Sequence, residues 1–372
     1  MPRGSVATYT VPEHGFAHRH ERATRDGVAR QLAALHGLHF VGEYDPAHPP
    51  PGPVYLVPSD TLVGVEGAAA LGVRGEQDLF GGVVPHPFVG TKAITHPLVR
   101  PDAEAPQGWS FAFGPEVGGV VLAGFTAFAA EDARQAGRRL LGRGPVRVKP
   151  VRATGGREQE VVADAAGLDA LLAAVDAAEL RRDGVVLEEE LGDVTTYSVG
   201  QVRVAGLVAS YCGTQSLTTD NSGATVYGGS ELLVARGGFE ALPGLGLPAE
   251  AALAAEQARA YDAAATEHFP GLFASRRNYD VARGLDAGGR RRSGVLEQSW
   301  RIGGASGAEV AALEAFRADP GLRAVRAATV ERYGGGRPLP PPHATVYFDG
   351  IDERDGPMTK YALAEPHRGD PR

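Results

Sequence analysis

The sequence predicts a mixed chain: a small α/β unit followed by a larger α+β block. Three observations carry this. The first hundred or so residues alternate helical and extended patterning. The middle of the chain offers strands joined by short turns, not a run of uniform βαβ units. Its 51 glycines and 27 prolines fall at punctuation points, with no internal repeat. A chain of 372 residues, 43% hydrophobic and 22% charged, is long enough for two or three domains and too apolar to be mainly disordered.

In the first unit, residues 1–100, Arg22 to Leu35 places Ala23, Val28, Ala29, Leu32 and Leu35 near helical spacing. An extended piece, Leu38 to Tyr44, a proline-rich loop and a strand at Val54 to Pro58 follow. Asp60 or Thr61 is placed to cap a short helix running to Gly72. The Pro-, Gly- and acid-rich stretch Arg100 to Gly108 reads as a linker. In the second block, residues 101–332, Thr126 to Leu141 reads as a helix with acids in its first turn and arginines near its end. Strands follow at Val146 to Pro150 and Val161 to Ala163, then a helix over Leu168 to Leu180 and a strand over Gly184 to Leu191. Further strands are expected at Ser198 to Val208 and Thr225 to Val234, and a long helix at Ala249 to His268. Asn278 to Arg283 and Gly294 to Gln298 read as two arms joined by the turn residues Asp286 to Gly289. A helix covers Gly307 to Asp319. The tail, residues 333–372, offers one strand, Ala344 to Phe348.

Charge and cysteine use exclude several classes. Lys and Arg number 37 against 45 Asp and Glu, a net charge of -8. No basic surplus exists to neutralise a nucleic-acid backbone, although a small anionic ligand in a locally positive site remains compatible. The single cysteine, Cys212, rules out an internal disulfide or a multi-cysteine metal site and reads as a small buried hydrophobe. The longest nearly apolar run, Val117 to Ala130, is roughly 14 residues, short of a membrane span. No signal core marks the N-terminus, so a soluble, cytoplasmic protein is expected.

Three constellations could carry chemistry. Lys149 and Arg147 alternate with valines and share one strand face, ahead of the glycines Gly155 and Gly156. A point charge followed by unobstructed amides suits phosphate, and an edge-strand lysine before a structural turn is the other reading. The second is Glu188-Glu189-Glu190-Leu191 at a strand end: either a solvated charge run or a strand offering backbone groups and a carboxylate to an adenine edge. The third sets Asp280 on one arm of the Asp286–Gly289 turn and Glu297 on the next. Pairing across the turn brings the two carboxylates to one face, where they repel unless a cation or an arginine separates them. Mg²⁺ bridged to phosphates suits such a pair, and salt bridges to Arg276, Arg277 or Arg301 are the alternative. His14, His18 and His20 lie close in sequence and read as an exposed segment, not a metal site.

Together the order of these pieces resembles the ATP-grasp superfamily over roughly Phe80 to Glu314. Leu79-Phe-Gly-Gly-Val-Val-Pro-His-Pro87, Tyr227-Gly-Gly-Ser230 and Ser293 to Gly304 are similar to an uncharacterised bacterial family sometimes labelled biotin carboxylase-like. The resemblance implies two α+β lobes enclosing a nucleotide cleft and meeting near residues 186–191. It implies ATP and Mg²⁺ (or Mn²⁺) as cofactors. Lys92, Lys149 and the amides of Gly155 and Gly156 would take phosphate, and Glu188, Glu189 and Leu191 the adenosine. Asp280, Glu297 and Ser299 would hold metal, and Arg277 and Arg301 would stabilise charge on an acylphosphate. Three departures stand out: Glu158 in the glycine flap, Thr195-Thr196 where a ribose-binding acid is usual, and Ser299 where asparagine is common. The implied activity is an ADP-forming ligase that activates a small carboxylate for an amine or thiol acceptor. A non-catalytic ATP-binding protein and a kinase are the alternatives, and a homodimer is a family-level expectation. Tyr227 to Ser230 and Gly303 to Ser306 read first as ordinary hairpin turns and alternatively as a cradle for the acceptor.

Overall fold

The computed structural model describes residues 4–12, 15, 18–152 and 159–367. Gly155, Gly156 and Glu158 of the expected flap, and His14, lie outside them.

The chain opens with a three-stranded parallel sheet in which Ser5–Tyr9 is central, flanked by His39–Glu43 and Val54–Pro58. The helix Arg19–His36 connects the first two strands and buries Val28, Ala29 and Leu32. It ends at Gly37, whose left-handed backbone (φ 67°) lets Gly37 and Leu38 N–H bond back to Ala34 and Ala33 carbonyls. The short helix downstream, Val65–Ala70, starts from Gly64 and not from Asp60 or Thr61, because Leu62–Val63 is first drawn into a strand pair with Gly82–Val84.

A four-stranded antiparallel sheet follows, in the order Gly124–Ala127, Val185–Glu189, Val146–Pro150, Glu160–Val162. Val146 and Val148 point into the core that this sheet shares with the helices Ala130–Leu141 and Ala165–Ala174, so Arg147 and Lys149 point the other way. Two sequence expectations are corrected here. Thr126 to Leu141 is not one helix, since Gly124–Ala127 pairs as a strand before the helix begins at Ala130. Leu168 to Leu180 is two helices, broken where Asp176 turns extended and caps the second, Ala177–Asp183, through the Glu179 N–H.

The largest element is an eight-stranded antiparallel sheet ordered Arg291–Ser299, Arg276–Leu285, Gly192–Val204, Leu207–Thr219, Thr225–Arg236, Ala324–Tyr333, Gly356–Pro366, Thr345–Asp352. The strand expected over Ser198 to Val208 is really two, because the chain reverses at Ala205-Gly206. The C-terminal segment holds two strands, not one, and both join this sheet. The helix Ala249–His268 meets one face through Asp262, which binds Arg277 and Tyr279. The helix Ser306–Ala318 meets the other face, where Glu309 binds Arg276 and Tyr211. No helix among the described residues is long and apolar enough to cross a membrane.

Candidate functional site

The strands Arg276–Leu285 and Arg291–Ser299 pair antiparallel, and Asp280 stands directly opposite Glu297. A bulge between Asp280 and Val281 shifts the pairing beyond that point, but Asn278–Ser299 and Asp280–Glu297 stay in step on one face. Burial, and after it repulsion from Glu297, raises the Asp280 carboxyl to about 6. Gln215 and Asn278 both donate to the same Asp280 oxygen, at 2.7 and 3.0 Å. Burial would also raise Glu297, but Lys92, with Nζ 2.9 Å away, and then Lys149 and Arg301 pull it below its ordinary value.

Lys92 is presented to Glu297 by a small anchor. The Gln298 side-chain amide donates to the carbonyls of Val89 (2.9 Å) and Thr91 (2.6 Å). Thr91 in turn caps the single 3₁₀ turn Lys92–Thr95 by accepting from Ala93 N–H. The buried ammonium therefore leaves the loop in one direction.

Lys149 reaches the site from the smaller sheet. Its ammonium pairs with Glu188, whose second oxygen lies 2.9 Å from His96 Nε2. All three side chains are buried. Burial alone would raise the Glu188 carboxyl, yet Lys149 and His96 outweigh it and bring the group down to about 2. Glu188 is thus committed to holding Lys149 and is not the adenine contact that the sequence suggested. Glu189 is also spoken for: its carboxylate accepts from Ala123 N–H at 2.9 Å and from Arg292, and its own N–H bonds to the Ala123 carbonyl. Leu191 packs with Leu122 and Ala282, with Leu296 beside them, in a small apolar cluster.

Two further expectations are corrected. Arg277 lies three residues from Asp280 and so faces the opposite side of the sheet, where Asp262 (3.1 Å) and Glu76 (2.9 Å) occupy its guanidinium. Ser299 shares the face of Glu297, but its hydroxyl accepts from the Arg276 guanidinium at 3.3 Å. A cation already borders that oxygen, which disfavours it as a metal ligand. Arg301 is on the right side, close enough to depress Glu297 and 3.6 Å from Asp60.

The donor set suits a divalent ion. Two facing carboxylates, one with a raised pKa, gain from a cation between them, and two lysines beside them suit the phosphates that share its shell. His96, Gln215, Asn278 and Asp60 were missed from sequence. Only Asn278, two residues before Asp280 on the same strand face, carried a local signal. The two glycine motifs do meet: a Cβ on Gly304 would run into the Tyr227 ring, and the Tyr227 hydroxyl lies 2.6 Å from Ser230 Oγ. Cys212 is buried, and burial raises its thiol to about 12.

The fold is similar to that of N5-carboxyaminoimidazole synthetase from Staphylococcus aureus complexed with ADP, at TM-score 0.53 and 10% identity, covering 97% of this chain and 93% of that one. It is similar also to a biotin carboxylase–βγ-ATP complex from Campylobacter jejuni, at TM-score 0.50 and 10% identity, covering 97% and 88%. No curated protein matches the sequence. The likeness is one of fold, and the fold is ATP-grasp over nearly the whole chain. Residues 8–362 match the model of the family described as protein of unknown function DUF3182, and the chain belongs to that family.

Proposed function

We propose that the protein is an ATP- and Mg²⁺-dependent ligase that activates a small carboxylate as an acylphosphate and passes the acyl group to an amine or thiol. The observation that carries this reading is the in-register Asp280–Glu297 pair with Lys92 2.9 Å from Glu297. The structural neighbours support it: one is a synthetase solved with ADP and the other a carboxylase solved with βγ-ATP.

Asp280 and Glu297 would hold Mg²⁺, which supplies charge neutralisation between the phosphates. Lys92 and Lys149 meet the phosphate oxygens, Lys149 kept in place by Glu188 and His96. The Leu122–Leu191–Ala282 patch takes the purine. A substrate carboxylate oxygen attacks the γ-phosphorus, and the bond to ADP breaks. The acceptor then attacks the acyl carbon, and phosphate leaves. Little covalent help is needed, because alignment and charge neutralisation do the work. Arg301, steered by Asp60, offers a planar fork to the acylphosphate.

A cavity of about 310 Å³ lies against the N-terminal sheet, lined in part by Tyr9, Asp60, Thr91 and Arg152. Its lining residue Thr91 precedes Lys92 in the chain and its lining residue Asp60 lies 3.6 Å from Arg301, and on that ground the carboxylate or its acceptor is assigned to it. The test is incubation of purified protein with ATP, Mg²⁺ and pools of carboxylates with amines or thiols. ADP and free phosphate released in equal amounts, only when both pool members are present, supports ligation. ADP with a stable phosphorylated product contradicts it in favour of a kinase. Binding without turnover on any pool favours the non-catalytic reading.

A further inference from the structure

The first helix and the last hairpin meet far from one another in sequence, and two histidines mark the junction. His18 is the N-cap of Arg19–His36, with an extended backbone (φ -97°, ψ 142°), and His20 is buried in the first turn. Opposite them is the turn between Thr345–Asp352 and Gly356–Pro366. Asp355 of that turn places one carboxylate oxygen 2.8 Å from His18 Nδ1 and 2.8 Å from His20 Nε2. The three donor atoms lie within 4.8 Å of one another. The sequence reading of these histidines as an exposed segment is therefore corrected.

The surroundings hold this arrangement rigidly. Asp352 accepts from the backbone N–H of His20 at 3.1 Å with one oxygen. With the other it accepts from Arg354 and Asp355 N–H, at 3.0 and 3.2 Å. Asn221 grips the same turn through the Asp355 and Pro357 carbonyls. His18 Nδ1 is shielded from solvent and makes no well-aligned hydrogen bond despite its nearness to Asp355. A shielded ring nitrogen without a well-aligned hydrogen bond, next to a second ring nitrogen and a carboxylate, suits coordination once its proton leaves. Among the described residues Lys360 is the ammonium at the cluster, and its 2.7 Å partner is Glu331. Lys360 also donates to His20 Nδ1 at 3.4 Å. With an ion on Nε2 the ring hydrogen moves to Nδ1, that hydrogen bond is lost, and Lys360 turns wholly to Glu331. Asp352, Asp355 and Glu331 outweigh the single lysine, which offsets the positive end of the helix.

We propose that His18, His20 and Asp355 bind a first-row divalent metal ion, of the Zn²⁺ class, that clips the first helix to the C-terminal hairpin. Two imidazoles and one carboxylate suit Zn²⁺ in a tetrahedral shell, with a water in the remaining position. The site shares no residue with the Asp280–Glu297 pair and stands whatever reaction the latter serves.

The test uses the full chain, stripped with a chelator, dialysed and titrated with Zn²⁺ by calorimetry. Co²⁺ absorption reports the ligand field in parallel. One tight ion per chain is expected at this cluster, apart from any weaker binding at the Asp280–Glu297 pair, with a rise in thermal midpoint that EDTA reverses. His18→Ala and Asp355→Asn should each weaken binding at least about tenfold and abolish the midpoint shift. His18→Ala also removes the helix N-cap and the Asp355 contact, so it should melt somewhat below the metal-free parent, and far-UV circular dichroism with a cooperative melt serves as the folding control. Glu297→Gln should leave Zn²⁺ binding unchanged. Absence of saturable binding in the micromolar range would overturn the proposal, leaving a hydrogen-bonded His–Asp–His cluster. Equal binding by parent, His18→Ala and Asp355→Asn would overturn it as well.

Discussion

Asp280 and Glu297 stand side by side across an antiparallel strand pair, yet their environments drive them apart. Asp280 accepts from the neutral donors Gln215 and Asn278, and burial beside Glu297 pushes its carboxyl up to about 6 despite the Arg276 charge, while Lys92 pulls Glu297 below its ordinary value. The protein thus maintains one strained carboxyl beside one satisfied one, a condition that a shared cation relieves.

That strain has a sign. The Asp280 pKa is raised above its unfolded value, so its contribution to stability is fully present below about pH 3.8 and is lost as pH rises through about 6. Asp280→Asn keeps a carbonyl oxygen for both donors and removes the charge. Its thermal stability without nucleotide should match the parent near pH 4 and exceed it at pH 7.5, by roughly 1–3 kcal/mol. Denaturant melts at the two pH values check this. A variant less stable than the parent at both would contradict it.

Glu188 acts in the opposite sense. Its pKa is depressed to about 2, so its stabilisation is present above about 4.5 and fades as pH falls toward 2. Glu188→Gln leaves the buried Lys149 without its counter-charge and should cost about 3–5 kcal/mol at pH 7, a gap that narrows in acid. Urea titrations of parent and variant at pH 7 and pH 4 measure both quantities.

The two arginines of the original expectation should separate cleanly. Arg277→Met breaks a buried link to Asp262 and Glu76, and should lower the melting temperature while leaving ATP affinity within about twofold. Arg301→Met should do the reverse: a near-parental melt, and turnover reduced about 10²–10³-fold once a substrate pair is found. Melting curves and nucleotide titrations on the two variants decide the matter.

Local sequence pattern reveals most elements but few partnerships. The hairpin turn at Asp286–Gly289 and the long helix Ala249–His268 were legible because turn residues and length mark them. Thr126 and Ala127 were read as the start of a helix because they run unbroken into a helical stretch, and only pairing with Val185–Glu189 makes Gly124–Ala127 a strand. The exclusion of Arg277 could have been read directly, since an odd spacing from Asp280 on a strand means opposite faces. The Glu188–His96 contact could not, because the two residues are 92 apart and no local rule joins them. The His18–Asp355 junction escaped for the same reason: the first helix and the last hairpin become neighbours only when the tail enters the large sheet.

The most direct test of the carboxylate pair is calorimetry of ATP binding with and without Mg²⁺, in the parent and in Glu297→Gln, at pH 7.5 and pH 5.5. Mg²⁺ should tighten ATP binding by the parent at pH 7.5 and do so less at pH 5.5, where a proton must first leave Asp280. Glu297→Gln should lose most of the Mg²⁺ effect at both pH values. A variant that keeps the full Mg²⁺ enhancement, or a parent whose ATP affinity ignores Mg²⁺, would contradict the assignment of the metal to Asp280 and Glu297.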